Sequence, residues 1–143
     1  MEYTWLIFAL LSAVAASFVA IFGKIGLQGI DTNTATAIRA VVMAAFLIGV
    51  IVLQGKLSNV GPILANHKAL LFIVLSGLVG AISWLFYFLA LKSAEVSKIV
   101  PIDRMSVVFA LLLAFFILGE KISLKAGIGA ALVVAGGILI ALG

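Results

Sequence analysis

Five long apolar runs divide this sequence, and their length leaves few folds open. They are Tyr3 to Phe22, Ala35 to Leu53, Ala69 to Leu91, a fourth from about residue 96 to Leu118 whose unbroken apolar part begins near Ile99, and Leu124 to Leu142. A helix rising 1.5 Å per residue needs ~20 residues to cross ~30 Å of hydrocarbon, and each run is close to that length. A barrel strand needs only ~10 alternating residues, whereas these runs are apolar on every face. The spacing therefore predicts an all-α, polytopic membrane protein with five transmembrane helices. Composition agrees: 66% of the 143 residues are hydrophobic and 10% are charged, against ~25% charged in a soluble domain.

The connections are short, and the chain reads as one membrane domain over residues 1–143. The longest, Gln54 to Lys68, carries Gly55, Ser58, Asn59, Gly61, Pro62 and Asn66 as turn and cap residues. Asp31-Thr32-Asn33-Thr34 offers several N-caps for the second span. Only Met1 and Glu2 precede the first run and neither is basic, which argues for a retained span over a cleaved signal peptide. Any functional group must then lie in or between the spans.

Several chemistries are disfavoured at the outset. With no cysteine there is no disulfide or thiolate site, and the single His67, next to Lys68 and read as interfacial, cannot build a multi-histidine zinc cluster. No paired carboxylates, phosphate-binding glycine loop or selectivity-filter sequence is found. The chain is not read as an enzyme, and no cofactor or metal is expected. Its net charge of +4 comes from single lysines and arginines between apolar runs, not a basic stripe, so nucleic acid is not an expected partner.

Loop lysines bear on orientation. Lys56, Lys68, Lys121 and Lys125 share the side of the amino terminus; Lys24, Lys92 and Lys98 lie opposite, joined by Arg39 and Arg104 if residues just inside the spans are counted. The bias is 4 to 3 or 4 to 5, small enough to permit insertion both ways up. A single orientation set by one dominant loop stays open.

Polar groups inside the runs are the candidate functional residues. Arg39 lies one turn into the second span, where it can either snorkel to the interface or face a cavity as an anion partner or gate. In Lys98-Ile-Val-Pro-Ile-Asp-Arg-Met-Ser106, a helix starting near Pro101 would put Asp103 in its first turn, where the helix dipole favours an anion. A helix starting near Ala94 would instead be broken by Pro101 within the bilayer, with Asp103 and Arg104 deeper, as in transporter sites built on broken helices. A pairing of Asp103 with Arg39 is the preferred one. Ser83, Trp84 and Tyr87 lie well inside the third span, as packing residues with satisfied polar tips or as a cavity lining. Glu120, beside Lys121, is expected to hold a turn and neutralise a basic group. Small residues at four-residue spacing, among them Ala9, Ala13 and Ser17 and the row Gly127, Ala131 and Ala135, predict close helix packing within the chain or at a subunit contact.

The run from Ala90-Leu91-Lys92-Ser93-Ala94-Glu95 through Val96-Ser97-Lys98-Ile99-Val100-Pro101-Ile102, then Leu118-Gly119-Glu120-Lys121, Gly127-Ile128-Gly129 and Gly136-Gly137, resembles the EamA-like part of the drug/metabolite transporter superfamily. Trp5, Gly23-Lys24 and Arg39 are also similar. The resemblance implies half of a ten-helix inverted-repeat fold, since most members look like two such units in tandem. One unit here implies pairing of two copies, antiparallel if the inversion is kept. Small multidrug resistance relatives carry a carboxylate in their first span; Tyr3 to Phe22 has none, leaving Asp103 and Glu120 as the candidates for proton coupling. The function implied is a secondary transporter of a small metabolite, a homodimer in the inner or plasma membrane working by alternating access. Its path would run between the first four spans past Arg39, Ser83, Trp84, Tyr87 and Asp103. The rival is a non-transporting subunit or flippase-like partner in a heteromeric complex.

Overall fold

The computed structural model describes residues 3–143, and within them every regular element is helical. Met1 and Glu2, on which the argument for a retained first span leans, lie outside the described residues. The elements are α1 (Thr4–Gly26), α2 (Thr32–Leu53), α3 (Val60–Ala65), α4 (His67–Ser93), α5 (Val96–Asp103), α6 (Ser106–Leu113) and α7 (Leu124–Leu142). Five segments are long and apolar enough to cross a membrane, α5 and α6 counting together as Val96–Leu118. Large apolar side chains are exposed along all of them, Phe46 at 69% and Phe116 at 76% among them. In water that surface would be ruinous; in hydrocarbon it is the expected exterior.

Helix ends follow local chemistry. The Asp31 carboxylate accepts from the Thr34 amide at 2.7 Å, which starts α2 at Thr32, earlier than the apolar run alone suggests. That hydrogen bond holds the Asp31 carboxyl below the usual aspartate range. At the other end, Gly55 takes φ 67°, a left-handed conformation that suits glycine, and the Lys56 amide donates to the Ile51 carbonyl. Between α2 and α4, the polar connection holds a single turn of 3₁₀ helix (Leu57–Asn59) and then α3, with Pro62 in its first turn.

The helices group into two compact units. One is Gly26–Lys92, containing α2, α3 and α4; the other joins α1 to the chain from Ser93 onward. In the first unit, Lys92 near the end of α4 donates to the Ile30 carbonyl before α2 at 3.3 Å, so the start of α2 and the end of α4 share one side. In the second, Lys24 in the last turn of α1 donates to the Ala94 carbonyl at 2.8 Å.

The fourth span resolves the two readings of Pro101. Its helix begins at Val96, so Pro101 sits inside α5 and Asp103 is the last residue of that helix, not in a first turn. Pro101 has no amide to offer the Ser97 carbonyl. Beyond Arg104 the hydrogen bonds tighten, Met105 donating to Ile102 and Val107 to Arg104, before α6 resumes at Ser106. The span is broken. It ends in a stretch of π-helix, Ala114–Leu118, closed by left-handed Gly119 with the Glu120 amide donating to the Ala114 carbonyl.

Against this break packs Gly137, the buried residue of α7. A methyl group there would stand 2.9 Å from the Pro101 carbonyl oxygen and 3.4 Å from its carbon. Both are main-chain atoms, which cannot swing aside. Gly137→Ala should therefore cost about 1–3 kcal/mol of stability in detergent. Gly129→Ala, which has nothing within 4 Å, should be near neutral by the same thermal denaturation assay. Equal stability of the two variants would contradict this packing.

Candidate functional site

The candidate site lies in the unit of α2 and α4. Arg39 is the eighth residue of α2, roughly 10 Å along the helix at 1.5 Å per residue. Thr32, Thr36 and Arg39 recur at spacings of four and three, so they share one face, and both threonines are buried. The Thr36 hydroxyl donates to the Thr32 carbonyl at 2.7 Å and so needs no further partner in the apolar surround. On α4 the residues at matching spacing are Trp84, Tyr87, Phe88 and Leu91; Phe88 is 3% and Leu91 0% exposed.

Arg39 does not snorkel free of the helices. Its Cζ lies 3.1 Å from the centre of the Trp84 ring and 4.8 Å from that of Phe88. Phe88 also meets Trp84 edge-on at 6.2 Å and Tyr87 at 5.8 Å, which fixes the three rings against one another. Yet Nη1 is buried with no hydrogen-bond partner.

Magnitudes show what this arrangement is suited to. A desolvated cation–π contact contributes about 2 kcal/mol. Leaving a buried donor unsatisfied costs about 1–3 kcal/mol, and more when it is charged. The stack therefore holds the ion in place while one of its donors is still unsatisfied. Such a group is poised for an acceptor. Beside it runs an open groove of about 370 Å³ along one face of α2, almost wholly apolar, lined by Ile30, Thr34, Ala35, Ile38, Val42 and Arg39 itself, with Ile38 and Val42 exposed.

The model of the EamA-like transporter family matches residues 3–142. The chain belongs to that family. A Sinorhizobium protein named "Uncharacterized transporter in cobO 3'region" is 36% identical over 141 residues, covering 99% of each chain. No solved structure matches. A five-span, multi-pass membrane protein of this family fits half of the ten-helix EamA arrangement.

Of the residues singled out from the sequence, the structure brings Arg39, Trp84 and Tyr87 together with Phe88. Ser83 is exposed on α4. In this EamA-family chain, Pro101, Asp103 and Arg104 belong to the other unit, at the α5–α6 break, with Asp103 and Arg104 exposed. Glu120 and Lys121 lie in the exposed turn before α7, which Glu120 closes through its main chain. Gly127, Ala131 and Ala135 border an open apolar groove of about 500 Å³ with α6 residues such as Val108 and Leu111. The sequence names Gly137 only within the Gly136-Gly137 pair that carries the family resemblance, and Phe88 not at all. Phe88 follows Trp84 by four residues and could have been found by carrying the helical spacing one turn further.

The stack predicts a separation of stability from function. Arg39→Met keeps an apolar stem against Trp84 and removes the unsatisfied donor, so its thermal stability should equal or exceed the parent's by up to about 2 kcal/mol. A loss of more than about 1 kcal/mol would mean that the charge is structural.

Proposed function

We propose that this EamA-family protein is a secondary transporter that carries a small metabolite across the inner or plasma membrane by alternating access, as a homodimer with its copies antiparallel. The observation that carries the reading is Arg39, charged at membrane depth, stacked on Trp84 and Phe88 with one donor unsatisfied. An ionisable side chain so placed is costly in hydrocarbon, and transport is the use for which membrane proteins most often retain one. The break at Arg104, between α5 and α6, supports the same reading, because interrupted helices are where secondary transporters commonly bind and flex. The relative's printed name, a transporter, agrees.

The antiparallel pairing is supported by the near balance of lysines on the two sides and by the single five-span unit. The open groove along Gly127, Ala131 and Ala135 is a surface on which a second copy can pack.

Purified protein in proteoliposomes should take up at least one member of a broad metabolite panel. Arg39→Ala and Asp103→Asn, each folded by thermal denaturation, should reduce that uptake at least about tenfold. Uptake unchanged in both variants, or none across the panel, would contradict the proposal. Cysteines placed at Lys68 and at Lys92 should each label from both faces; one-sided labelling would remove the antiparallel arrangement.

A further inference from the structure

The unit Gly26–Lys92 holds one charged group at membrane depth, and it is positive. Its other charged residues, Asp31, Lys56, Lys68 and Lys92, stand in connections or in the first or last turn of a helix. Asp31 is the unit's one carboxylate, and it is already engaged: it caps α2 through the Thr34 amide. Arg39 thus has aromatic faces beside it but no carboxylate of its own unit to balance it. The adjoining open groove on α2 offers hydrocarbon, from Ile30, Ile38 and Val42, and a single ionised group, Arg39.

We infer that the ligand itself brings the counter-charge: the site takes a small organic anion, a carboxylate on a compact apolar body, with the carboxylate on the Arg39 guanidinium and the body along α2 over Ile38 and Val42. This rests on the transport reading and supplies its substrate class. A guanidinium presents a planar fork of donors that matches a carboxylate with two parallel hydrogen bonds. Charge counting separates the alternatives. One carboxylate neutralises one arginine. A phosphate dianion would leave a net negative charge in an apolar wall, and a cation would meet like charge with no carboxylate to receive it. Because Nη1 is covered, a carboxylate can reach it only when the guanidinium lifts from the indole. Binding therefore uncovers the Trp84 ring, which makes Trp84 the reporter.

The chain has two tryptophans, Trp5 and Trp84, so Trp5→Phe leaves Trp84 as the sole tryptophan, excited selectively on the red edge beyond tyrosine absorption. The full chain with this change, in detergent micelles, is titrated with hexanoate, phenylacetate, inorganic phosphate and tetraethylammonium. Both carboxylates should shift Trp84 emission saturably, and phosphate and tetraethylammonium should not. Arg39→Lys should weaken carboxylate binding by about tenfold or more, and Arg39→Gln should abolish the saturable response. Val42→Phe fills part of the groove while leaving Arg39 in place and should shift preference toward the slimmer hexanoate. A saturable response to tetraethylammonium, an equal carboxylate response in Arg39→Gln, or no carboxylate response at all would each overturn the inference. Carboxylates that bind but are not taken up into proteoliposomes leave this inference standing and remove transport; uptake of other solutes with no carboxylate binding does the reverse.

Discussion

One positive charge, held about a third of the way into an apolar helix, constrains everything around it. Arg39 cannot be left in hydrocarbon unaccompanied, where insertion costs ~2.5–3.5 kcal/mol near the bilayer centre. The chain answers with aromatic faces instead of a carboxylate: Trp84 in van der Waals contact, Phe88 behind it and Tyr87 alongside. Those rings fix the rotation of α4 toward α2. The tie from Lys92 to the Ile30 carbonyl fixes how far α4 can slide along it. A carboxylate partner would have satisfied the arginine permanently. An aromatic partner holds it in place and leaves it available.

The two units use opposite packing strategies. Between α2 and α4, large side chains bridge the gap, and an open groove runs along α2 beside Arg39. Between α5 and α7 the reverse is true: Gly137, with no side chain, admits the main chain of Pro101 at the place where the helix is already weakened. With little hydrophobic force between helices in lipid, close approach of small residues supplies the dispersion contact that holds such a seam. The same proline that interrupts hydrogen bonding within α5 is steadied from outside by α7. A broken span need not be a loose one.

The sequence shows the five spans because hydropathy over ~20 residues is a strong, context-free signal. It places Arg39, Trp84 and Tyr87 at membrane depth for the same reason. What it leaves open depends on tertiary contact. Nothing local distinguishes an arginine that snorkels from one that stacks on a neighbouring helix, since both need only a position near a helix end. The start of the fourth span is likewise open in the sequence, because Pro101 suits either a first turn or a kink; the structure starts it at Val96, directly after extended Glu95, and leaves Asp103 at the end of α5. The small-residue rows were visible as patterns, but which one touches main chain was not. Gly127, Ala131 and Ala135 border an open groove, while Gly137, outside that row, makes the close approach.

If that arginine really rests on the indole, Trp84 should carry the mark of an overlying cation. Ultraviolet resonance Raman spectra of the Trp5→Phe protein read this directly, because the indole bands respond to charge above the ring. The spectrum should show a perturbed Trp84 that reverts to an ordinary apolar indole in Arg39→Met. Identical spectra from the two proteins would mean that the guanidinium is elsewhere, and the account of how α2 and α4 hold a charge between them would fall.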